Sequence, residues 1–102
     1  MARLIKVAQT KDLPPGSGAA FEVEGRNIAV FNVGGSLYAI DDTCPHSGGP
    51  LSQGQVDGTK VTCPWHAADF DLQTGAVLCG PAFEGVKSYK VLVEGDDIKV
   101  EV

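Results

Sequence analysis

The chain has 102 residues, of which 43% are hydrophobic, and its net charge at pH 7 is −5. This length predicts a single domain covering residues 1–102, and the apolar content excludes a disordered chain. No apolar run approaches the roughly 18 residues of a membrane span, and the first residues lack the apolar stretch of a secretory signal. We therefore expect a soluble, cytoplasmic protein, and the acidic balance argues against a nucleic-acid partner.

Short β-like runs separated by turn signals occur in the first forty residues and again at the end of the chain. The predicted strands are Leu4–Ala8, Ala20–Val23, Ile28–Val33, Ser36–Ile40, Val86–Val93 and Ile98–Val102. Glycine-containing turns at Gly25, Gly34–Gly35 and Gly95 predict hairpins or tight turns between neighbouring strands. No segment shows a helical period over ten residues, so the sequence predicts an all-β domain rich in turns.

The middle of the chain contains two stretches, Asp41–Leu51 and Thr62–Asp69, made mainly of turn residues, cysteine and histidine. They carry Cys44 with His46 and Cys63 with His66, and 16 residues separate the two pairs. These are the only two histidines of the chain and two of its three cysteines. An odd number of cysteines argues against a disulfide framework, and irregular loops need something to order them. The pattern therefore predicts a metal centre.

Each of the two pairs combines one thiolate with one imidazole, a donor set that suits zinc or an iron–sulfur centre. One zinc ion bound by Cys44, His46, Cys63 and His66 is chemically possible, but a single residue between Cys44 and His46 strains both ligands toward one small ion. Two irons lie apart, so each loop can supply one ligand to each iron, as in Rieske centres. A metal-free protein that keeps these residues in its core is the remaining alternative.

The ligand spacing resembles the Rieske family, as do the residues after each pair, Ser47-Gly48-Gly49-Pro50-Leu51 and Ala67-Ala68-Asp69-Phe70-Asp71. The resemblance covers nearly the whole chain. It implies a fold of three stacked antiparallel sheets, with a small cluster-binding subdomain, here about residues 41–83, at one tip. It also implies one [2Fe–2S] cluster, with Cys44 and Cys63 on the buried iron and His46 and His66 on the outer iron.

High-potential members of that family join the two ligand loops through two further cysteines, and the matching positions here are Gly49 and Trp65. The same members place serine and tyrosine donors where this chain has Ala68 and Phe70. Because hydrogen bonds to the sulfurs raise the potential, their absence makes the chain resemble the low-potential ferredoxins.

Such ferredoxins, by resemblance, pass single electrons from a flavoprotein reductase to a ring-hydroxylating oxygenase. The chain is therefore expected to be an electron carrier, monomeric when free, and not an enzyme. An alternative is a small subunit bound to a redox enzyme such as an assimilatory nitrite reductase.

Three further features have two interpretations each. Trp65 either meets the partner or shields the cluster, or it has a simple packing role. Cys79, beside Gly80 and Pro81, is expected to be a small buried hydrophobe rather than a redox thiol. Between Asn27 and Val86 there are six acids and one base, Lys60, which is either ordinary surface solvation or a docking face for a basic partner.

Overall fold

Three antiparallel sheets account for the strands in the part of the chain that the structure describes. The computed structural model describes residues 3–43, 50–65, 68–79 and 85–102. The strands are β1 (Leu4–Gln9), β2 (Gly18–Val23), β3 (Arg26–Val33), β4 (Ser36–Asp41), β5 (Gln55–Asp57), β6 (Lys60–Thr62), β7 (Asp69–Asp71), β8 (Val77–Cys79), β9 (Ser88–Tyr89), β10 (Val91–Glu94) and β11 (Asp97–Glu101). Two short 3-10 helices occupy Thr10–Asp12 and Leu51–Gln53. No helix among these residues is long and apolar enough to cross a membrane.

The sheets differ in which part of the chain they contain. The terminal sheet has the order β1-β11-β10, the central sheet β2-β3-β4-β9, and the loop-bearing sheet β5-β6-β7-β8. All strand pairs within them are antiparallel. The expectation of an all-β fold with three antiparallel sheets is therefore confirmed.

The central sheet contributes to two core clusters, because β3 sends alternate side chains to opposite faces. Ile28 and Val30 belong to the cluster shared with β11 of the terminal sheet. Ala29 and Phe31 belong to the cluster shared with β6 and β7 of the loop-bearing sheet. A strand buried on both faces carries a continuous apolar run instead of alternating apolar and polar residues. Residues 28–31 form such a run.

The predicted hairpin between β2 and β3 and the turn between β3 and β4 are both present. Glu24 and Gly25 have φ of 51° and 81°, and Gly34 and Gly35 have φ of 59° and 98°. Two consecutive positive φ values are the mark of the type I′ turn, whose twist matches that of the flanking strands. These tight turns fix the register that places Asp41 opposite Ile28.

Two expectations about strands were wrong. Val86–Val93 is not one strand: β9 pairs with β4 in the central sheet, and β10 pairs with β11 in the terminal sheet. The chain changes sheets at Lys90, whose carbonyl oxygen accepts a hydrogen bond from the Glu101 N–H. The stretch Thr62–Asp69 is not wholly irregular either, since its two end residues belong to β6 and β7.

Candidate metal centre

The first ligand loop is closed at its base by Asp42, Thr43 and Pro50. Thr43 and Pro50 form an isolated antiparallel bridge. The carbonyl oxygen of Asp42 accepts the Leu51 N–H at 2.6 Å, and its carboxylate accepts the Ser52 N–H at 2.7 Å. The Asp42 side chain is buried, and these bonds explain how a carboxylate is tolerated there. These bonds thus join the residues before segment 44–49 to the residues after it.

The second ligand loop connects β6 to β7 and begins at Cys63. The Cys63 N–H donates to the carbonyl oxygen of Ala68 at 2.8 Å, which continues the β6–β7 pairing by one further residue pair. Cys63 is 1% exposed and lies in the same core cluster as Leu51 and Ala68. One strand position earlier, the Thr62 hydroxyl donates to the Asp69 carboxylate at 2.6 Å. The sheet therefore presents a buried cysteine at the start of this loop.

A third segment, 80–84, connects β8 to Gly85. The Val86 N–H donates to the carbonyl oxygen of Gly75 at 2.7 Å, so the chain after this segment is anchored to the turn between β7 and β8. Gly75 has φ of 78°, and a Cβ there would overlap the Val86 carbonyl oxygen. Only glycine permits both this backbone conformation and this close approach.

The two ligand loops and the start of the third segment connect to one end of the loop-bearing sheet. Thr62, the last residue of β6, pairs with Asp69, the first residue of β7, and Asp69 also pairs with Cys79, the last residue of β8. Gln55, the first residue of β5, pairs with Thr62 and brings the chain arriving from the first loop to the same end. Gly54 lies so close to the Thr62 carbonyl oxygen that a Cβ would overlap it. The bases of the two ligand loops are therefore in direct contact.

Of the four predicted ligands, the structure describes Cys63 alone. Cys44, His46 and His66 lie outside the described residues, as does the side chain of Cys79. Within the described ranges no group of three or more metal-binding side chains occurs. The donor chemistry nevertheless fits a cluster: Cys63 places a sulfur donor at the buried end of a loop, and the other three candidate donors follow the closed bases just described.

Trp65 lies on the second loop next to His66, and it is 60% exposed. Pro64 beside it is exposed as well. Trp65 is therefore not a core residue, because most of its indole surface is open to solvent. A large apolar side chain exposed at a loop end is a feature of interaction surfaces.

Most of the acids between Asn27 and Val86 make hydrogen bonds or ion pairs within the fold, which the sequence did not show. Asp42 closes the first loop, Asp69 binds Thr62 and lies 3.8 Å from Lys60, and Asp71 accepts the Gln73 N–H. Asp41 accepts the Tyr89 hydroxyl at 2.6 Å. These bonds give most of these acids a structural role that does not require a basic partner.

The Tyr89 hydroxyl links two charged groups across the central sheet. It donates to the Asp41 carboxylate and accepts a hydrogen bond from Arg26 at 3.3 Å, while the Lys87 ammonium lies 5.2 Å from the centre of its ring. Burial and the hydrogen bond to Asp41 raise the pKa of Tyr89, and the hydrogen bond to Tyr89 raises the pKa of Arg26. Sequence reasoning missed Tyr89 and Arg26, since 48 positions separate Tyr89 from Asp41.

The fold and these loops define a class of protein: a small all-β domain with two loops at one end of a sheet, the second of which begins at a buried cysteine. A family model described as the Rieske [2Fe-2S] domain matches residues 3–90. The chain belongs to this family. One [2Fe–2S] cluster is accordingly its cofactor, and the chain is an electron-transfer protein rather than an enzyme.

A curated relative and several solved structures show the same kinship. The 3-phenylpropionate/cinnamic acid dioxygenase ferredoxin subunit of Escherichia coli strain K12 is 44% identical over 92 residues, which cover 89% of this chain and 86% of the relative. The ferredoxin of carbazole 1,9a-dioxygenase from Nocardioides aromaticivorans IC177 is 35% identical, with a TM-score of 0.91 and coverage of 95% of both chains.

Two further structures bear on partners. A ferredoxin that is 32% identical, with a TM-score of 0.88 and coverage of 95% and 91% of the two chains, was solved as a complex of reduced oxygenase and oxidised ferredoxin in carbazole 1,9a-dioxygenase. A protein assigned as an NADH-dependent nitrite reductase small subunit from Mycobacterium tuberculosis is 25% identical, with a TM-score of 0.90 and coverage of 100% and 96%. An oxygenase complex and a nitrite reductase small subunit are thus both represented among the similar proteins.

Proposed function

We propose that this protein carries single electrons from a flavoprotein reductase to the terminal oxygenase of a dioxygenase system. The observation that carries the proposal is the 44% identity, over most of both chains, to a dioxygenase ferredoxin subunit. A relative solved together with its oxygenase supports the direction of transfer. We also propose that residues 1–102 form one domain, monomeric when free, that works in the cytoplasm, where thiols remain reduced.

The proposed ligands are Cys44, His46, Cys63 and His66. A [2Fe–2S] cluster held by two thiolates and two imidazoles accepts and returns one electron. Cys63 supports this assignment because its buried position suits the inner iron, away from water. His66 follows the exposed Trp65, which suits an outer ligand near the partner. The protein itself supplies the closed loop bases that position these donors.

Trp65 is the side chain that we propose to contact the oxygenase. Its exposure next to a candidate ligand offers apolar surface at the point where the distance between redox centres must be shortest. Exposed tryptophans that become buried are the residues that contribute most strongly to protein interfaces. The nearby Asp69 carboxylate lies 3.8 Å from the Lys60 ammonium, which offsets its charge as a docking group.

The test uses the oxygenase of the Escherichia coli 3-phenylpropionate system as the acceptor. The protein is reduced with dithionite, separated from the reductant and mixed with oxidised oxygenase in a stopped-flow spectrometer. We expect fast, concentration-dependent oxidation of the wild type. Trp65→Ala should lower the second-order rate constant about tenfold, the effect of losing about 1.4 kcal/mol of interface energy.

Val93→Ala is the matched control, since Val93 is also an exposed apolar residue but belongs to the terminal sheet. It should leave the rate unchanged. A wild-type protein that keeps its cluster yet transfers no electron to this or the carbazole oxygenase would contradict the proposal.

A second candidate function, a permanently bound nitrite reductase subunit, is favoured by the full-length match to the Mycobacterium tuberculosis protein. The two functions differ in how the protein associates. A carrier exchanges rapidly between partners, whereas a subunit elutes from size exclusion in a fixed stoichiometric complex with a larger enzyme. Purification from the native host at physiological salt separates them, and a stable complex would favour the subunit.

A further inference from the structure

A network of four residues joins the base of the first ligand loop to the segment that follows residues 80–84. We define it as the Asp41 network, made of Arg26, Asp41, Lys87 and Tyr89. The Asp41 N–H donates to the Lys87 carbonyl oxygen at 2.9 Å, and the Lys87 N–H approaches the Asp41 carboxylate at 3.4 Å. The Tyr89 hydroxyl donates a further hydrogen bond to that carboxylate at 2.6 Å. Asp41 therefore binds the β9 segment through both its backbone and its side chain.

The position of this network matters because of what lies next to it in the chain. Asp41 is the last residue of β4, directly before Asp42 and Thr43, which close segment 44–49. Lys87 lies two residues after Gly85, the first described residue after segment 80–84, and the intervening Val86 donates its N–H to the carbonyl oxygen of Gly75 in the turn between β7 and β8. The network is thus the contact between the base of a ligand loop and the base of the third segment.

The strongest bond of the network is the one from Tyr89 to Asp41. It is short, its acceptor is charged, and the Tyr89 side chain is buried. Charge-assisted hydrogen bonds of this kind are about twice as strong as neutral ones. Arg26 donates to the same hydroxyl and so orients its proton toward Asp41. Without the hydroxyl, only the longer Lys87 N–H bond would hold the carboxylate to β9.

We propose that the Asp41 network is a positioning device that holds the bases of segments 44–49 and 80–84 together, and that it controls how firmly the protein retains its [2Fe–2S] cluster. The proposal rests on the ligand set proposed above, since Cys44 and His46 lie on the first of these segments. Opening of the contact, which includes the pairing of β9 with β4, lets the two bases separate while the terminal sheet stays folded. Cluster loss then proceeds through this local opening, which costs less free energy than global unfolding.

The experiment measures cluster loss from the holoprotein in the presence of excess iron chelator, followed by the decay of visible absorbance. Tyr89→Phe keeps the ring and removes the hydroxyl, and we expect loss about fivefold faster, equivalent to about 1 kcal/mol. Asp41→Asn should act in the same direction. Because both changes weaken one hydrogen bond, the double variant should lose its cluster no faster than the more affected single variant.

Tyr38→Phe is the matched control, since Tyr38 lies on β4, as Asp41 does, but packs against the other core cluster. It should lose its cluster at the wild-type rate. Amide hydrogen exchange of the holoprotein then separates positioning from general stability. In Tyr89→Phe, exchange should accelerate at residues 41–43 and 85–88 and stay unchanged in β1 and β11 of the terminal sheet.

Equal rates of cluster loss in Tyr89→Phe and Tyr38→Phe would overturn the proposal, as would a uniform acceleration of exchange in all three sheets. No redox partner takes part in this experiment. A failure of electron transfer to the oxygenase would therefore contradict the proposed function alone, and an unchanged rate of cluster loss would contradict this inference alone.

Discussion

Replacing Ala68 by serine should raise the reduction potential of the cluster. Ala68 is 0% exposed and faces Cys63 across the β6–β7 hairpin, with the Cys63 N–H bonded to its carbonyl oxygen. Side chains directly opposite each other on antiparallel strands have Cβ atoms about 4.5–5.5 Å apart. A serine hydroxyl at this position is therefore within reach of the Cys63 sulfur. A donor to a ligand sulfur stabilises the reduced, more negative centre.

The size of the effect follows from the energy of one hydrogen bond. A net contribution of about 1–1.5 kcal/mol, at about 59 mV for each 1.4 kcal/mol in a one-electron couple, corresponds to about 40–65 mV. Rieske centres span about −150 to +300 mV, and we expect the wild type below zero. Phe70→Tyr should also raise the potential, because Phe70 follows two residues later on the same face, and the double variant should be higher still.

Protein-film voltammetry on wild type and variants measures these shifts. Ala39→Ser is the matched control, because Ala39 is equally buried but lies in the core cluster on the opposite face of the central sheet. It should leave the potential unchanged, although it also places a hydroxyl in the interior. A wild-type potential near +300 mV, or an Ala68→Ser variant that behaves as the control does, would refute the reasoning.

Three more predictions concern the cluster and the bases of its loops. The purified protein should contain two irons and two labile sulfides per chain by elemental and sulfide analysis, and one zinc without sulfide would contradict the family's cofactor here. His66→Ala should abolish the electron paramagnetic resonance signal of a reduced Rieske centre, and an unaltered signal would remove His66 from the ligand set. Gly54→Ala should destabilise the fold by about 1–3 kcal/mol, seen as a lower thermal midpoint, because a Cβ would overlap the Thr62 carbonyl oxygen.

The parts of the fold that were predictable from sequence are those with local signals. β1 to β4 are strands of six to eight residues that contain short apolar runs, and glycine turns connect β2 to β3 and β3 to β4. Both features act between neighbours in the chain. The loop-bearing sheet was not predicted, since β5 to β8 have three residues each, too few for alternation to be recognised. Val86–Val93 was misread because nothing local marks Lys90 as the point where the chain passes from the central to the terminal sheet.

The candidate site likewise has parts that local sequence signals predict and parts that they do not. Cysteine and histidine spacing identifies the ligand loops because the donors are rare residues close together in sequence. The bonds that hold those loops are distant in sequence: Asp41 and Tyr89 are 48 positions apart, and Arg26 and Tyr89 are 63 apart. Only pairing of β4 with both β3 and β9 brings these residues together. Sequence therefore indicates the candidate ligands, and the fold shows which bonds hold the ends of their loops.

The acids around the ligand pairs have a different role in the structure from the one that their charge alone suggests. A concentration of acids around the ligand pairs first suggests attraction to a basic partner. In the structure, Asp41, Asp42 and Asp69 each accept a short hydrogen bond from a neighbouring group, so these carboxylates have structural roles within the domain. The exposed side chain beside His66 is instead the apolar Trp65. Docking through such a surface depends on burial of the indole more than on long-range attraction, so added salt should slow electron transfer less than Trp65→Ala does.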